Sequence, residues 1–246
     1  MAKTQTVICA KWGTRYPANY VNRLWSMIRR NTARDTRLVC YTDDESGIDG
    51  AIARFPIPEF GLPKRKIKST WRKLAFWSPS LQGVSGDVLF LDLDVVITGS
   101  IDEFFDFAPG STFCAIENWT QRGQRIGNTS VYRFHVGAHD YLCRKMRDNA
   151  DEVLGTFRNE QTFVSRTISE ITFWPATWCL SFKHSLLPTW PLNFVRPAPL
   201  PSSAKVICFT GKPDPHEARD GNWPAPWYKK LYKHVRPTPW IDQHWR

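Results

Sequence analysis

Val88-Leu89-Phe90-Leu91-Asp92-Leu93-Asp94-Val95-Val96 is the stretch on which the reading of this chain turns. Its apolar lead-in reads as a buried strand, and two carboxylates stand one residue apart where that strand ends. Open α/β sheets bind ligands in the crevice beyond the carboxyl ends of their strands, so the acidic pair marks a ligand site. Side chains alternate along an extended chain, which points Asp92 and Asp94 to one side and Leu93 to the other. Two carboxylates held that close repel, and in a half-buried site they need a compensating cation. Oxygen-only ligands suit Mg²⁺ or Mn²⁺, ions that keep several waters and accept a substrate phosphate. The expectation is a metal-diphosphate clamp. The plainer alternative, strand-end Asp residues capping a turn before Thr98-Gly99-Ser100, requires neither the apolar lead-in nor the second carboxylate.

Working outward, Thr6 to Ala10 is a short apolar strand, and Gly13 to Pro17 a turn into a helix with Pro17 in its first turn. Val21, Leu24, Trp25 and Ile28 then recur at the spacing of one buried helical face. Arg37 to Thr42 reads as the next strand, ending in Asp43-Asp44-Glu45, and Ile52 to Phe55 as a third, stopped by Pro56 and Pro58. Beyond the acidic pair, Ser111 to Glu117 and Asn128 to Phe134 are strand-like, and a helical region runs from His139 to about Phe157. This order predicts an α/β fold with a wound, mostly parallel sheet flanked by helices. Twelve of the 18 prolines and seven of the 12 tryptophans lie after Glu170, so regular structure thins there. One domain over 1–246 is expected, an α/β core over about 1–170 followed by an irregular Pro/Trp-rich C-terminal lobe over 171–246 that contributes to the site.

Composition narrows the function classes. At 246 residues and 42% hydrophobic, the chain can bury a large core. No apolar run approaches the roughly eighteen residues of a membrane span. The opening, Met1 to Ala10, holds too short an apolar run for a signal peptide, which predicts a cytoplasmic protein. The six cysteines are scattered without Cys-x-x-Cys spacing and lie mostly inside apolar runs, which disfavours zinc and disulfides. Much of the formal charge of +10 sits between Phe60 and Gly86, where Lys64, Arg65, Lys66, Lys68, Arg72 and Lys73 occur without any acidic residue. Lys64 to Lys68 read equally as a solvated loop or as one that binds nucleic acid, an anionic membrane surface or substrate phosphates. Arg72 and Lys73, on a helix feeding toward Asp92, are the candidates for phosphate contact.

Five segments appear in one order: Val7 to Gly13, Val88 to Val96, Asn128-Thr129-Ser130-Val131-Tyr132, Asn159-Glu160-Gln161-Thr162-Phe163, and Lys205 to Pro213 with Phe209-Thr210-Gly211-Lys212-Pro213 at its end. Together they resemble GT-A fold nucleotide-sugar glycosyltransferases, in particular glycosyltransferase family 8 and its bacterial relatives, over nearly the whole chain. The resemblance implies a GT-A-like fold and a metal-dependent, hexosyltransferase-like activity in bacterial polysaccharide biosynthesis. It implies transfer from a nucleotide diphosphate sugar, UDP-sugar foremost, to a saccharide or lipid-linked acceptor, with retention. Asp92 and Asp94 match the motif that holds Mn²⁺ or Mg²⁺, with Asp92 also facing the nucleotide-sugar. Ala10, Lys11 and Trp12 match the segment that cradles uracil and ribose, and Arg72 or Lys73 the basic residue that meets the phosphates. Asn128 and Ser130 match a strand facing the donor sugar, with Thr129 a departure between them. Glu160 and Gln161 match the catalytic pair near the anomeric carbon, and Gly211 and Lys212 a segment reaching the diphosphate. Where the family has a third metal ligand, a His before an aromatic residue, this sequence has Cys208 before Phe209. Either His216 takes that role or the ion has fewer protein ligands.

Two rival readings stand beside this one. Leu89 to Ser100 also resembles the opening motif of haloacid dehalogenase-type phosphatases, although Val95 follows Asp94 where that motif has a small residue. A basic nucleic-acid-binding protein is the other, but no recognisable RNA- or DNA-binding motif accompanies the charge. Near the C-terminus, Trp223 to Arg236 interleaves aromatics with cations. That pattern suits peripheral contact with an anionic membrane, stacking on sugars, or packing of the tryptophans on the core.

Overall fold

The computed structural model describes residues 4–246; the first three residues of the leader reading lie outside the described part. Ten strands form within it: β1 (Gln5–Lys11), β2 (Thr36–Thr42), β3 (Ala53–Phe55), β4 (Asp87–Leu91), β5 (Val95–Ile97), β6 (Phe113–Glu117), β7 (Gly127–His135), β8 (Thr172–Phe173), β9 (Cys179–Ser181) and β10 (Val206–Cys208). The helices are α1 (Ala18–Arg30), α2 (Asp102–Asp106), α3 (Tyr141–Asp148), α4 (Ala150–Thr156), α5 (Glu160–Thr167), α6 (Pro215–Arg219) and α7 (Trp240–His244). A 3₁₀ helix, Thr70–Trp77, precedes β4, and another, Trp227–Leu231, lies near the C-terminus.

Seven strands make one sheet in the order β3-β2-β1-β4-β7-β6-β8. β1 pairs in parallel with β2 and β4, β2 with β3, and β6 with β8, whereas β7 runs antiparallel to both its neighbours. The sheet is thus mostly parallel, and the fold α/β, as expected. Both faces are covered, which is why β1 and β4 read as unbroken apolar runs. Val7, Cys9, Leu89 and Leu91 face one core with α1, while Ile8, Val88 and Phe90 face the other with the 3₁₀ helix Thr70–Trp77, α3 and α5. In that second layer the ring of Trp77 stacks on Tyr132 at 5.6 Å.

The decisive stretch departs from its reading in one respect. Val88 to Val96 is not a single strand: β4 ends at Leu91, the chain turns at Leu93-Asp94, and β5 enters a second sheet of order β5-β10-β9. β5 pairs antiparallel with β10, Val95 opposite Cys208. The strand alternation that placed Asp92 and Asp94 on one side therefore does not apply. Their common orientation comes from a turn instead, and burial of Leu93 among Val95, Val96 and the α1 side anchors it. Two smaller differences have local causes. Trp25 lies half-buried while Met27 and Tyr20 complete the inner face of α1. The His139 to Phe157 region divides at Asn149, whose backbone leaves the helical region.

The C-terminal residues are not set apart from the rest. Phe182, Trp223, Val235, Ile241 and Trp245 join the core that α1 covers, so strands and turns after Thr172 close over the same face of the sheet. Among the described residues no helix is long and apolar enough to cross a membrane.

Candidate active site

Strand ends and the loops that follow them enclose a cleft of about 520 Å³. The end of β1 supplies Ala10 and Lys11 and the loop after it Trp12 to Tyr16; Asp43 follows β2; Lys68, Arg72 and Lys73 come from the basic segment; Asp92, Leu93 and Asp94 follow β4. These are the carboxyl ends of the parallel strands, the position where ligands bind in open α/β sheets.

Each wall is tied down by polar contacts. Lys11 is buried and gives its ammonium to the Asp44 carbonyl at 2.9 Å and carboxylate at 3.2 Å, so it braces the loop after β2. Asp43 accepts from the Gly13 amide at 3.3 Å and from the Arg72 guanidinium at 2.9 Å. Gly13 sits at φ +60, a conformation for which glycine has no steric penalty. On the opposite wall Lys73 Nζ lies 2.6 Å from Asp92 Oδ1 and 2.7 Å from Oδ2, and donates to the Thr129 carbonyl at 3.2 Å. Burial draws the Lys73 ammonium down, but Asp92 and Glu160 outweigh it and raise its pKa, so the side chain stays charged. Asp94 accepts a hydrogen bond from Tyr16 Oη at 2.8 Å. Burial, reinforced by the neighbouring charge of Asp92, pushes the Asp94 carboxyl up to about 7.

Behind Lys73 stands a second row. Thr129 Oγ1 donates to Glu160 Oε2 at 3.3 Å, and Asn128 Nδ2 to Gln161 Oε1 at 3.3 Å. Asn128 Oδ1 also accepts from the Ser130 amide at 2.9 Å, and the Ser130 carbonyl accepts from the Asp92 amide at 2.9 Å. Asn159 caps α5 by accepting from the Thr162 amide at 2.9 Å, which sets Glu160 and Gln161 at the first turn. Glu160 is buried, and that burial pushes its carboxyl up to about 7.

The structure therefore brings Ala10, Lys11, Trp12, Arg72, Lys73, Asp92 and Asp94 onto one cleft, and links Asn128, Ser130, Glu160 and Gln161 to it through Thr129 and Asp92. It does not bring the last three there. Gly211, Lys212 and His216 are off the cleft wall. Lys212 Nζ is held by Asp214 at 2.6 Å and Glu217 at 2.5 Å, inside the capping box of α6. His216 points its Nδ1 at Tyr20 Oη, 2.7 Å away, and lies outside the cleft lining. Cys208 is wholly buried in β10.

A divalent ion can be tested against this donor set. Among the described residues no three His, Cys, Asp or Glu side chains are grouped to hold one. Two carboxylates on a cleft remain, and they suffice for a hard ion that fills its shell with waters and phosphate oxygens. Lys73 pairs with Asp92, and Asp94 accepts from Tyr16 through one oxygen only. Asp92 and Asp94 thus fit such an ion as a pair.

Four contributors escaped the sequence reading. Tyr16 and Arg15 stand on the first loop, Asp43 orders that loop, and Thr129 relays Glu160 to Lys73. Only Asp43 carried a local signal, an acidic cluster at a strand end like that of Asp92. Thr129 looked like a departure from a motif, yet its hydroxyl and carbonyl both carry contacts.

No protein-family model matches the sequence, and no curated protein matches it. Solved structures do match the fold. The galactosyltransferase LgtC, crystallised with donor and acceptor sugar analogues, superposes with a TM-score of 0.60 at 15% identity over 86% of this chain and 89% of that one. The glycosyltransferase GlyE of Streptococcus pneumoniae TIGR4 gives 0.60 at 14% identity, covering 86% of this chain and 56% of that one. The bifunctional glycosyltransferase WbbM gives 0.60 at 14% identity over 99% of this chain and 51% of that one. This chain spans about half the length of the last two. The architecture is accordingly one it shares with GT-A-type glycosyltransferases.

Proposed function

We propose that the chain is a metal-dependent glycosyltransferase that moves a sugar from a nucleotide diphosphate sugar, UDP-sugar foremost, to a saccharide or lipid-linked acceptor. The observation that carries this reading is the turn after β4, which aims Asp92 and Asp94 into a 520 Å³ cleft beside Arg72 and Lys73. Breaking a sugar-phosphate bond leaves a diphosphate with added negative charge, and the largest catalytic contribution is stabilising that charge as it develops. A divalent ion, Mn²⁺ or Mg²⁺ between Asp92 and Asp94, would supply positive charge at that point. Arg72, oriented by Asp43, binds the phosphates from the opposite wall. Lys73 holds Asp92 in place and shares in the neutralisation. Ala10, Lys11 and Trp12 form the floor for the nucleoside.

Retention follows from the resemblance to family 8. Of the pair assigned to it, Gln161 is only half-buried and can face the donor sugar next to Asn128, whereas Glu160 lies deeper. The shared fold favours this reading over the phosphatase and the nucleic-acid binder. Titration calorimetry of UDP with and without Mn²⁺ is the test: binding is expected only with the ion, together with UDP release from a UDP-sugar. Absence of UDP binding under both conditions overturns the proposal.

A further inference from the structure

Of the large apolar side chains left exposed among the described residues, all but Ile67 belong to two short segments. Trp190, Leu192 and Val195 lie on one; Trp227, Tyr228, Leu231 and Tyr232 on the other. The segments are tied together. Trp190 Nε1 donates to the Leu231 carbonyl at 3.1 Å, Asn193 Nδ2 donates to the carbonyls of Tyr232 and His234 at 3.0 Å, and the rings of Phe194 and His234 stack at 4.4 Å. The result is one surface, on which Trp227 is 81% and Leu231 72% exposed. A soluble chain seldom leaves such side chains clustered in water without a partner.

Charge indicates the partner. Arg196, Lys229, Lys230, Lys233 and Arg236 belong to the same two segments, and neither 171–213 nor 221–241 contains an Asp or Glu. Among the described residues none of these five cations forms an ion pair, whereas Lys11, Arg72 and Lys73 on the cleft all do. Lys229 lies over the Tyr228 ring at 5.7 Å, and Lys233 over Trp223 at 5.8 Å, so their stems follow aromatic surface while their ammonium groups stay free. Trp223 itself packs into the core, whereas Trp227 does not, which separates the packing residue of this segment from the displayed ones. Aromatic and leucine side chains projecting from a cationic, acid-free surface match the boundary of an anionic bilayer, with the rings among the headgroups and the cations against phosphate.

We propose that this surface, built from 190–196 and 227–236, docks the protein on a bilayer containing anionic lipid. The inference stands apart from the transferase reading, since it uses no residue of the cleft. Flotation of the full chain with vesicles of phosphatidylglycerol and phosphatidylcholine tests it, against vesicles of phosphatidylcholine alone. Binding is expected to the anionic vesicles and to weaken with added salt. Two variants divide the contributions: Trp227→Ser with Leu231→Ser, and Lys229→Gln with Lys230→Gln and Lys233→Gln. Each is expected to weaken binding about tenfold or more, the lysine variant through lost attraction to the anionic surface and the Trp227 and Leu231 variant through lost apolar burial. Thermal unfolding and UDP titration of both variants are expected to match the parent, since all five positions lie outside the cleft. Absence of flotation with anionic vesicles overturns the proposal. So does flotation that Trp227→Ser with Leu231→Ser leaves unchanged, which reduces the effect to bulk charge. A dimer seen by light scattering that the same double variant dissolves, with no vesicle binding, assigns the surface to a second copy instead.

Discussion

Lys73 faces two acidic neighbours, Asp92 in direct contact and Glu160 through Thr129, and it is the group on which the buried side of the cleft depends. Asp94 has only the Tyr16 phenol, so it is the carboxylate left open to an incoming cation. Asp94→Asn is therefore expected to abolish Mn²⁺-dependent UDP binding while leaving the circular dichroism spectrum and cooperative unfolding intact; unchanged affinity in the titration removes the clamp. Glu160 allows a test by pH. Its carboxyl holds a proton up to about 7 in the folded protein, against an ordinary value of 4.5. Between those limits the folded state binds more protons than the unfolded one, so this group's contribution to stability falls as pH rises from about 4.5 to 7 and is level outside that window. Glu160→Gln removes the titration. The Tm of the variant minus that of the parent is expected to grow across that window, and a difference flat from pH 4 to pH 8 shows that Glu160 titrates normally.

Elements meet at turns that tolerate few residues. Gly137, which follows β7 and leads toward α3, has φ +85, and a Cβ there would stand 2.7 Å from the Pro79 carbonyl oxygen. Gly123 has φ +73 but open space around it. Gly137→Ala is expected to cost about 1–3 kcal/mol by urea unfolding, and Gly123→Ala less, the difference being the clash with Pro79. Equal losses would mean that backbone strain alone governs both sites. At this scale the strands were largely legible: β3 and β6 fall within the runs read from apolar pattern and punctuation, and β1, β2 and β7 exceed theirs by one residue at one or both ends. The break after Leu91 was not, because Val95 and Val96 are as apolar as Leu89 and Phe90, and both pieces are buried strands. Periodicity cannot tell one buried strand from two that meet at a turn.

For the molecule as a whole, the second sheet joins the middle of the chain to its C-terminal part. β5 has β10 as its neighbour, and Phe209 donates its amide to the Asp94 carbonyl at 3.0 Å, so the acidic turn rests on residues more than a hundred positions later. A chain ending at residue 200 loses β10, α6 and α7, and leaves Val95, Val96 and Ile97 without strand partners in a core that excludes water. It is expected to show no cooperative thermal or urea transition; a cooperative one with native near-ultraviolet dichroism would show that the acidic turn stands without its C-terminal support. Sequence by itself determined the α/β class, the strand sequence around the site, and the acidic pair at a strand end beside basic residues, because apolar period, turn residues and charge are local properties. Only the tertiary structure decided that Lys73 closes on Asp92 while Tyr16 meets Asp94, that Lys212 pairs with Asp214 and Glu217 while His216 meets Tyr20, and that Trp223 is buried while Trp227 is displayed. A side chain's partner is settled by competition among groups that the folded backbone brings within about 3 Å, and nothing in a local pattern ranks those competitors.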